Sequence, residues 1–201
     1  MRFKTVAALA AVALALTACG SDEDTTDTTD DTPTEAAPTE DDVATDDAMA
    51  PEELAVTGQD YSFTGIPAEI AVGTTITFSN SSEAEVHEIV AVNVGADTAP
   101  LADILAGMQA AMESGDSAGI DVALVAVAAP GETGQLFVGD GTLAEPGRYV
   151  FLCAIQQGVA PADYFAEAQR MAEAGEEGPV NIEGGGQPHA LLGMVAEAQV
   201  S

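Results

Sequence analysis

GRYVFLCAI, residues 147–155, opens on a glycine and an arginine and then runs from Tyr149 to Ile155 without a polar residue. Tyr, Val and Phe suit a pleated surface, and the turn signal EPG comes just before the run, so it reads as a strand buried on both faces. Comparable segments flank it. QDYSFTGIPAEIAVGTTITFSNSS (59–82) alternates apolar and polar residues and is broken by Gly and Pro, and VHEIVAVNV (86–94) follows as a buried strand. IDVALVAVA (120–128), GQLFVG (134–139) and GMVAEAQV (193–200) have the same character. Short strands separated by regular turn signals predict an antiparallel β-sandwich or barrel.

Two segments depart from this pattern. APLADILAGMQAAMES (99–114) and PADYFAEAQRMAEAG (161–175) have helical spacing, and the second opens on Pro161 and closes on Gly175. They are expected to be helical insertions between strands, with Met108, Met112 and Met171 as packing residues. The fold class expected is therefore all-β, a sandwich carrying two helices.

The start of the chain has a different composition. Arg2 and Lys4 precede an apolar run from Val6 to Leu16, which is followed by small residues and Cys19. The run is too short for a permanent membrane span, and the order of basic, apolar and small segments is that of a secretory signal over residues 1–18. LTAC, residues 16–19, resembles the bacterial lipobox, which implies cleavage before Cys19 and lipidation of its thiol; an ordinary signal peptide containing a cysteine is the alternative. Two or more acyl chains would hold the protein on the membrane, where one would be marginal. Residues 19–53 then form an acidic, Thr- and Pro-rich stretch without an aromatic residue. Such a segment cannot bury enough apolar surface to offset its ordering entropy, so a disordered tether with a reach of roughly 30 Å is expected.

Residues 54–201 are long enough for one domain with its own core. They contain 20 acidic residues against only Arg148 and Arg170. Nucleic acid and anionic lipid are poor partners for that surface, because contact would add repulsion in place of counterion release. A basic redox partner or a high-salt habitat would suit it.

With Cys19 acylated, Cys153 has no thiol partner, and it would be exposed to an oxidising compartment. A small buried hydrophobe is one reading of such a residue. The chain has only two histidines, His87 and His189, and the second stands in PHALLGM (188–194), five residues before Met194. All four residues fall at strand ends. Two imidazoles, a thiolate and a weakly bound thioether are the donors of a blue-copper electron-transfer site, and an axial methionine suits copper better than zinc.

These residues resemble those of the cupredoxin family, the plastocyanin-like blue-copper proteins. The resemblance covers most of residues 54–201 in strand order and rests on VHEIV, EPGRYVFLC and HALLGM. It implies an eight-stranded Greek-key sandwich with one type 1 copper at one end, held by His87, Cys153 and His189 as equatorial ligands and Met194 as the axial one. Closer still, the chain resembles actinobacterial cupredoxin-domain lipoproteins with a lengthened ligand loop. Two departures bear on the site. Residues 154–188, including a helix, separate Cys153 from His189, and a long loop pre-organises its ligands less well. The family often has an asparagine after the first histidine, tying the ligand loops together; here Glu88 stands there, and its charge would favour Cu(II). Glu88 and Pro188 are the candidate outer residues of the site.

The function expected is a membrane-anchored, extracytoplasmic one-electron carrier and not an enzyme. A copper-holding or copper-delivering lipoprotein and a metal-free interaction module are the alternatives. Two histidines are too few for the further copper centres of an oxidase. A hydrolytic role is disfavoured because no nucleophile elbow is present and Cys153 lacks electropositive neighbours.

Overall fold

The computed structural model describes residues 52–114, 119–176 and 178–201. The signal segment, Cys19 and nearly all of the tether lie outside these residues. Nine strands follow in chain order: β1 (Glu53–Gln59), β2 (Ser62–Thr64), β3 (Glu69–Ile70), β4 (Thr75–Asn80), β5 (His87–Gly95), β6 (Asp121–Ala128), β7 (Gln135–Val138), β8 (Gly147–Leu152) and β9 (Val195–Val200). They form a three-stranded sheet, β2-β1-β4, and a six-stranded sheet, β3-β9-β8-β5-β6-β7.

The two sheets share one core. Val56, Ile76 and Phe78 from the first meet Ile89, Leu124, Phe151 and Val200 from the second. Alternation makes this possible: along β4, Ile76, Phe78 and Asn80 turn inward while Thr75 and Thr77 face solvent. The result is a β-sandwich, as expected. Its edges are joined by the segment carrying β7, where Gly134 N–H donates to Phe78 C=O and Ile76 N–H to Gly141 C=O, each at 2.8 Å.

Three details differ from the sequence reading. The pairing is not wholly antiparallel: β1 runs parallel to β4, with Val56 opposite Phe78, and β3 runs parallel to β9. Parallel neighbours require a crossover, so the chain passes between the sheets in place of a simple meander. Among the described residues there are nine strands where the resemblance implied eight; two are very short, because Gly65 (φ +94) and Pro67 interrupt the run that contains β2 and β3. Strand β1 was not anticipated. It begins at Glu53, one residue before the expected domain start, and Thr75 N–H donates to Glu52 C=O immediately ahead of it.

The helices lie where the spacing placed them. α1 (Leu101–Ser114), between β5 and β6, packs Ile104 and Met108 against Val92 and Val150. Met112 is exposed, so it is not the packing residue expected. α2 (Pro161–Ala174), between β8 and β9, starts on proline and ends at Gly175, whose φ of +67 lets its N–H reach Ala172 C=O. Tyr164 is its buried residue.

Candidate metal centre

Strand pairing fixes the first two donors. β5 and β8 are antiparallel neighbours, with Val90 opposite Leu152. His87 opens β5 and Cys153 directly follows β8, so both come to the same end of the six-stranded sheet. Glu88 N–H points at Cys153 Sγ from 3.5 Å.

The third donor arrives across the long insertion, whose two ends are stitched together. His189 N–H donates to Ile155 C=O at 2.9 Å, and Ala190 N–H to Cys153 C=O at 2.8 Å. Residues His189–Leu192 form a 3₁₀ turn closed by Gly193, which has a φ of +111. Pro188 precedes this turn and bridges to Gln156. These backbone bonds hold His189 beside Cys153 whatever the length of the intervening loop.

The donor atoms converge. His87 Nδ1 lies 3.1 Å from His189 Nδ1, and Cys153 Sγ lies 3.4 Å from the same atom. One ligand atom from each of the three residues falls within 4.8 Å of the others. All three side chains are fully buried. Met194 is equally buried, in the same apolar group as Cys153, Val86, Ile155 and Tyr164. Its N–H donates to His189 C=O and its C=O accepts from Cys153 N–H. Gly58 makes room for it: a Cβ there would come within 2.9 Å of Met194 Cε.

Burial sets the protonation of this group. It lowers His87 to about 4, helped by His189 and opposed by Glu85 and Asp60. It also lowers His189, against the pull of Glu85. The Cys153 thiol is raised well above its usual range, first by burial and then by the charge of Glu88. At neutral pH and without metal, both imidazoles are neutral and the thiol keeps its proton. Neutral imidazole and a thiol that ionises on binding are a donor set for a soft or borderline metal. Among the described residues, His87 Nε2 is buried without a hydrogen-bond partner. The residues present fit such an ion: their donor atoms are mutually close and buried.

Glu88 bridges the two segments that carry His87 and Cys153. Its Oε1 accepts from Ala154 N–H at 2.9 Å, tying the start of β5 to the chain just past Cys153. Tyr164 O–H reaches its Oε2 at 3.5 Å, which brings α2 into the same tie. The carboxyl is raised to about 7 by burial, opposed by the Ala154 and Tyr164 hydrogen bonds. The loop tie is therefore made by a carboxyl group whose proton affinity burial has raised well above that of an exposed glutamate.

Sequence reasoning missed Glu85, Tyr61 and Tyr164. Tyr61 lies against His189 with ring centroids 5.0 Å apart, and Glu85 Oε2 lies 2.8 Å from His189 Nε2. Glu85 precedes His87 by two residues in EVH, a spacing that carries only a faint signal of a shared side. Nothing in the local sequence marks Tyr61.

Fold and site together define a β-sandwich protein with a buried centre of two histidines and one cysteine. No protein-family model matches the chain, and no curated protein matches it. Among solved structures it is similar to dithionite-reduced auracyanin from the photosynthetic bacterium Roseiflexus castenholzii, with 20% identity and a TM-score of 0.41 over 76% of this chain and 98% of that one. It is also similar to auracyanin A, a "blue" copper protein from Chloroflexus aurantiacus, with 18% identity and a TM-score of 0.39 over 76% of this chain and all of that one.

Proposed function

We propose that the protein is a one-electron carrier with a single type 1 copper site, in which His87, Cys153 and His189 are the equatorial ligands and Met194 the weak axial one. The observation that carries this reading is the convergence of the chain's only two histidines and the buried Cys153, from three separate segments, within 4.8 Å. Bound copper would supply a reversible one-electron couple. The chain's own residues supply the rest. Both His Nδ1 atoms and Cys153 Sγ present donors of mixed softness, suited to both oxidation states. The 3₁₀ turn and the strand ends hold them in one place, so little need move when charge changes. Burial keeps solvent from the donors and leaves none of them open to a diffusing substrate, which supports a carrier over an enzyme and over a rapidly exchanging copper-delivery site.

The surroundings of this reading are also proposals. Lipidated Cys19 would anchor the protein outside the cytoplasm, with residues 19–53 as spacer; Cys19→Ser should then release the protein from the membrane fraction. Arg148 pairs with Glu197, and Arg170 with Glu167 and Glu176. Both arginines of the domain are thus engaged by its own acids, which favours a basic redox partner and disfavours nucleic acid.

Adding Cu(II) to the purified protein and recording its visible spectrum tests the central claim. An intense thiolate-to-copper charge-transfer band supports the carrier. Binding of Cu(I) without that band favours a copper-holding protein, and absence of binding favours a metal-free module.

A further inference from the structure

His189 is engaged through both ring nitrogens. Nδ1 faces His87 Nδ1 and Cys153 Sγ, while Nε2 stands 2.8 Å from Glu85 Oε2. Both Nε2 and Oε2 are buried, and among the described residues neither makes an aligned hydrogen bond, so their 2.8 Å approach is a close contact of a ring nitrogen with a carboxylate oxygen. An ionised carboxylate offers only lone pairs, so this approach is favourable only with the proton on Nε2. His189 Nδ1 is then a bare acceptor. Two lone pairs facing at 3.1 Å would repel, so His87 carries its proton on Nδ1, and its Nε2, which has no partner among the described residues, is the bare nitrogen.

Glu85 is itself held in place. Its Oε1 accepts from Tyr61 O–H at 3.3 Å and from Gly158 N–H at 3.1 Å, and Tyr61 Oη accepts from Gln157 Nε2 at 2.9 Å. The group therefore joins the β1–β2 turn, the approach to β5 and the long ligand loop. Asp60 and Tyr61 have positive φ values, +31 and +66, in the turn that lays the Tyr61 ring on His189. Non-glycine residues hold such backbone only where the surroundings impose it.

We propose that Glu85 is the positioning residue of the metal centre: it fixes His189 as the Nε2–H tautomer so that Nδ1 faces the metal, and its charge behind the ring favours the oxidised state. The part concerning oxidation state rests on the copper reading above. The tautomer belongs to the metal-free protein and can be tested without it. Metal-bound imidazoles generally donate their second N–H to such an acceptor, and loss of the acceptor weakens metal binding about 10- to 100-fold.

The test uses the full-length protein with ¹⁵N-labelled histidine. Long-range ¹⁵N–¹H correlation spectra of the metal-free protein report each ring's tautomer, and a His87→Gln variant assigns the two rings. The wild type should show Nε2–H at His189 and Nδ1–H at His87. Glu85→Gln retains a carbonyl oxygen as acceptor, so the His189 tautomer should persist while the copper potential rises. Glu85→Ala should mix the tautomers and weaken copper binding about 10- to 100-fold. A wild-type His189 protonated on Nδ1, or an unaltered tautomer in Glu85→Ala, would overturn the positioning role. An unchanged potential in Glu85→Gln would overturn the role of the charge. If the wild type takes up no copper, the copper reading fails by itself, and the metal-free spectra still decide the place of Glu85.

Discussion

His87 Nδ1 and His189 Nδ1 are 3.1 Å apart, although 102 residues separate them in the chain. Two neutral imidazoles at that distance share a single proton between them. The metal-free centre thus holds that proton and the Cys153 thiol proton, and a metal bound to these atoms must displace both. The imidazole proton can move to the unpartnered His87 Nε2 and stay in the protein. The thiol proton is released to solvent once the pH is above the Glu88 value of about 7.

Copper uptake at pH 8 should therefore release about one proton per metal ion, that of Cys153. Titration calorimetry in two buffers of different ionisation enthalpy measures this number. Uptake without proton release would show that the thiol is not a ligand.

The ligands should respond differently to substitution. Cys153→Ser should remove the visible charge-transfer band, because the thiolate is its source, and His189→Ala should abolish it by removing an equatorial donor. Met194→Leu should retain copper and raise the reduction potential, since loss of a weak thioether leaves Cu(II) less well coordinated than Cu(I). Spectra and potentials of the three variants distinguish these outcomes. Equal copper affinity in wild type, His189→Ala and Cys153→Ser would leave the site without support.

Glu88 links stability to pH. Its carboxyl titrates at about 7 in the folded protein against a reference value of 4.5, so the native state binds this proton more tightly than the unfolded chain does. Its contribution is greatest below the unfolded value and is lost as pH rises through the folded one. Compared with Glu88→Gln, the metal-free wild type should lose on the order of 3 kcal/mol between pH 4.5 and 8, because each tenfold difference in proton affinity is equivalent to about 1.4 kcal/mol. His87, lowered to about 4, acts in the opposite sense over much of this range, so the comparison must be made between variants and not along one profile. Urea midpoints at several pH values provide the measurement, and parallel curves for the two proteins would refute the linkage.

Gly58 should prove sensitive for steric reasons alone. A Cβ at this position meets Met194 Cε and Phe78 Cζ, each at 2.9 Å. Gly58→Ala should destabilise the metal-free protein by about 1–3 kcal/mol through overpacking. It should also displace Met194, which would appear as a changed copper potential with the charge-transfer band retained. A variant with wild-type melting temperature and potential would show that the side chains yield without cost.

The residues themselves determined which atoms could form a centre. A chain with two histidines and one cysteine left for the folded domain offers few combinations of donors, and these lie in or beside apolar runs whose length and alternation mark strands. The sandwich and both helices were legible for the same reason, since periodicity and end signals are local properties. Other features were decided only in three dimensions. The parallel pairing of β1 with β4 depends on a crossover and has no local signature. Whether residues 154–188 would loosen the site could not be judged from loop length, because the answer lies in hydrogen bonds from His189 and Ala190 to Ile155 and Cys153. Glu88 stood out only as a charge where the resembled family often has asparagine, whereas its burial beside Ala154 N–H lets it join the start of β5 to the chain past Cys153. Glu85 and Tyr61 remained hidden for the most general reason: a glutamate or a tyrosine acquires its role from what the tertiary fold sets against it, and here that is the far edge of the His189 ring.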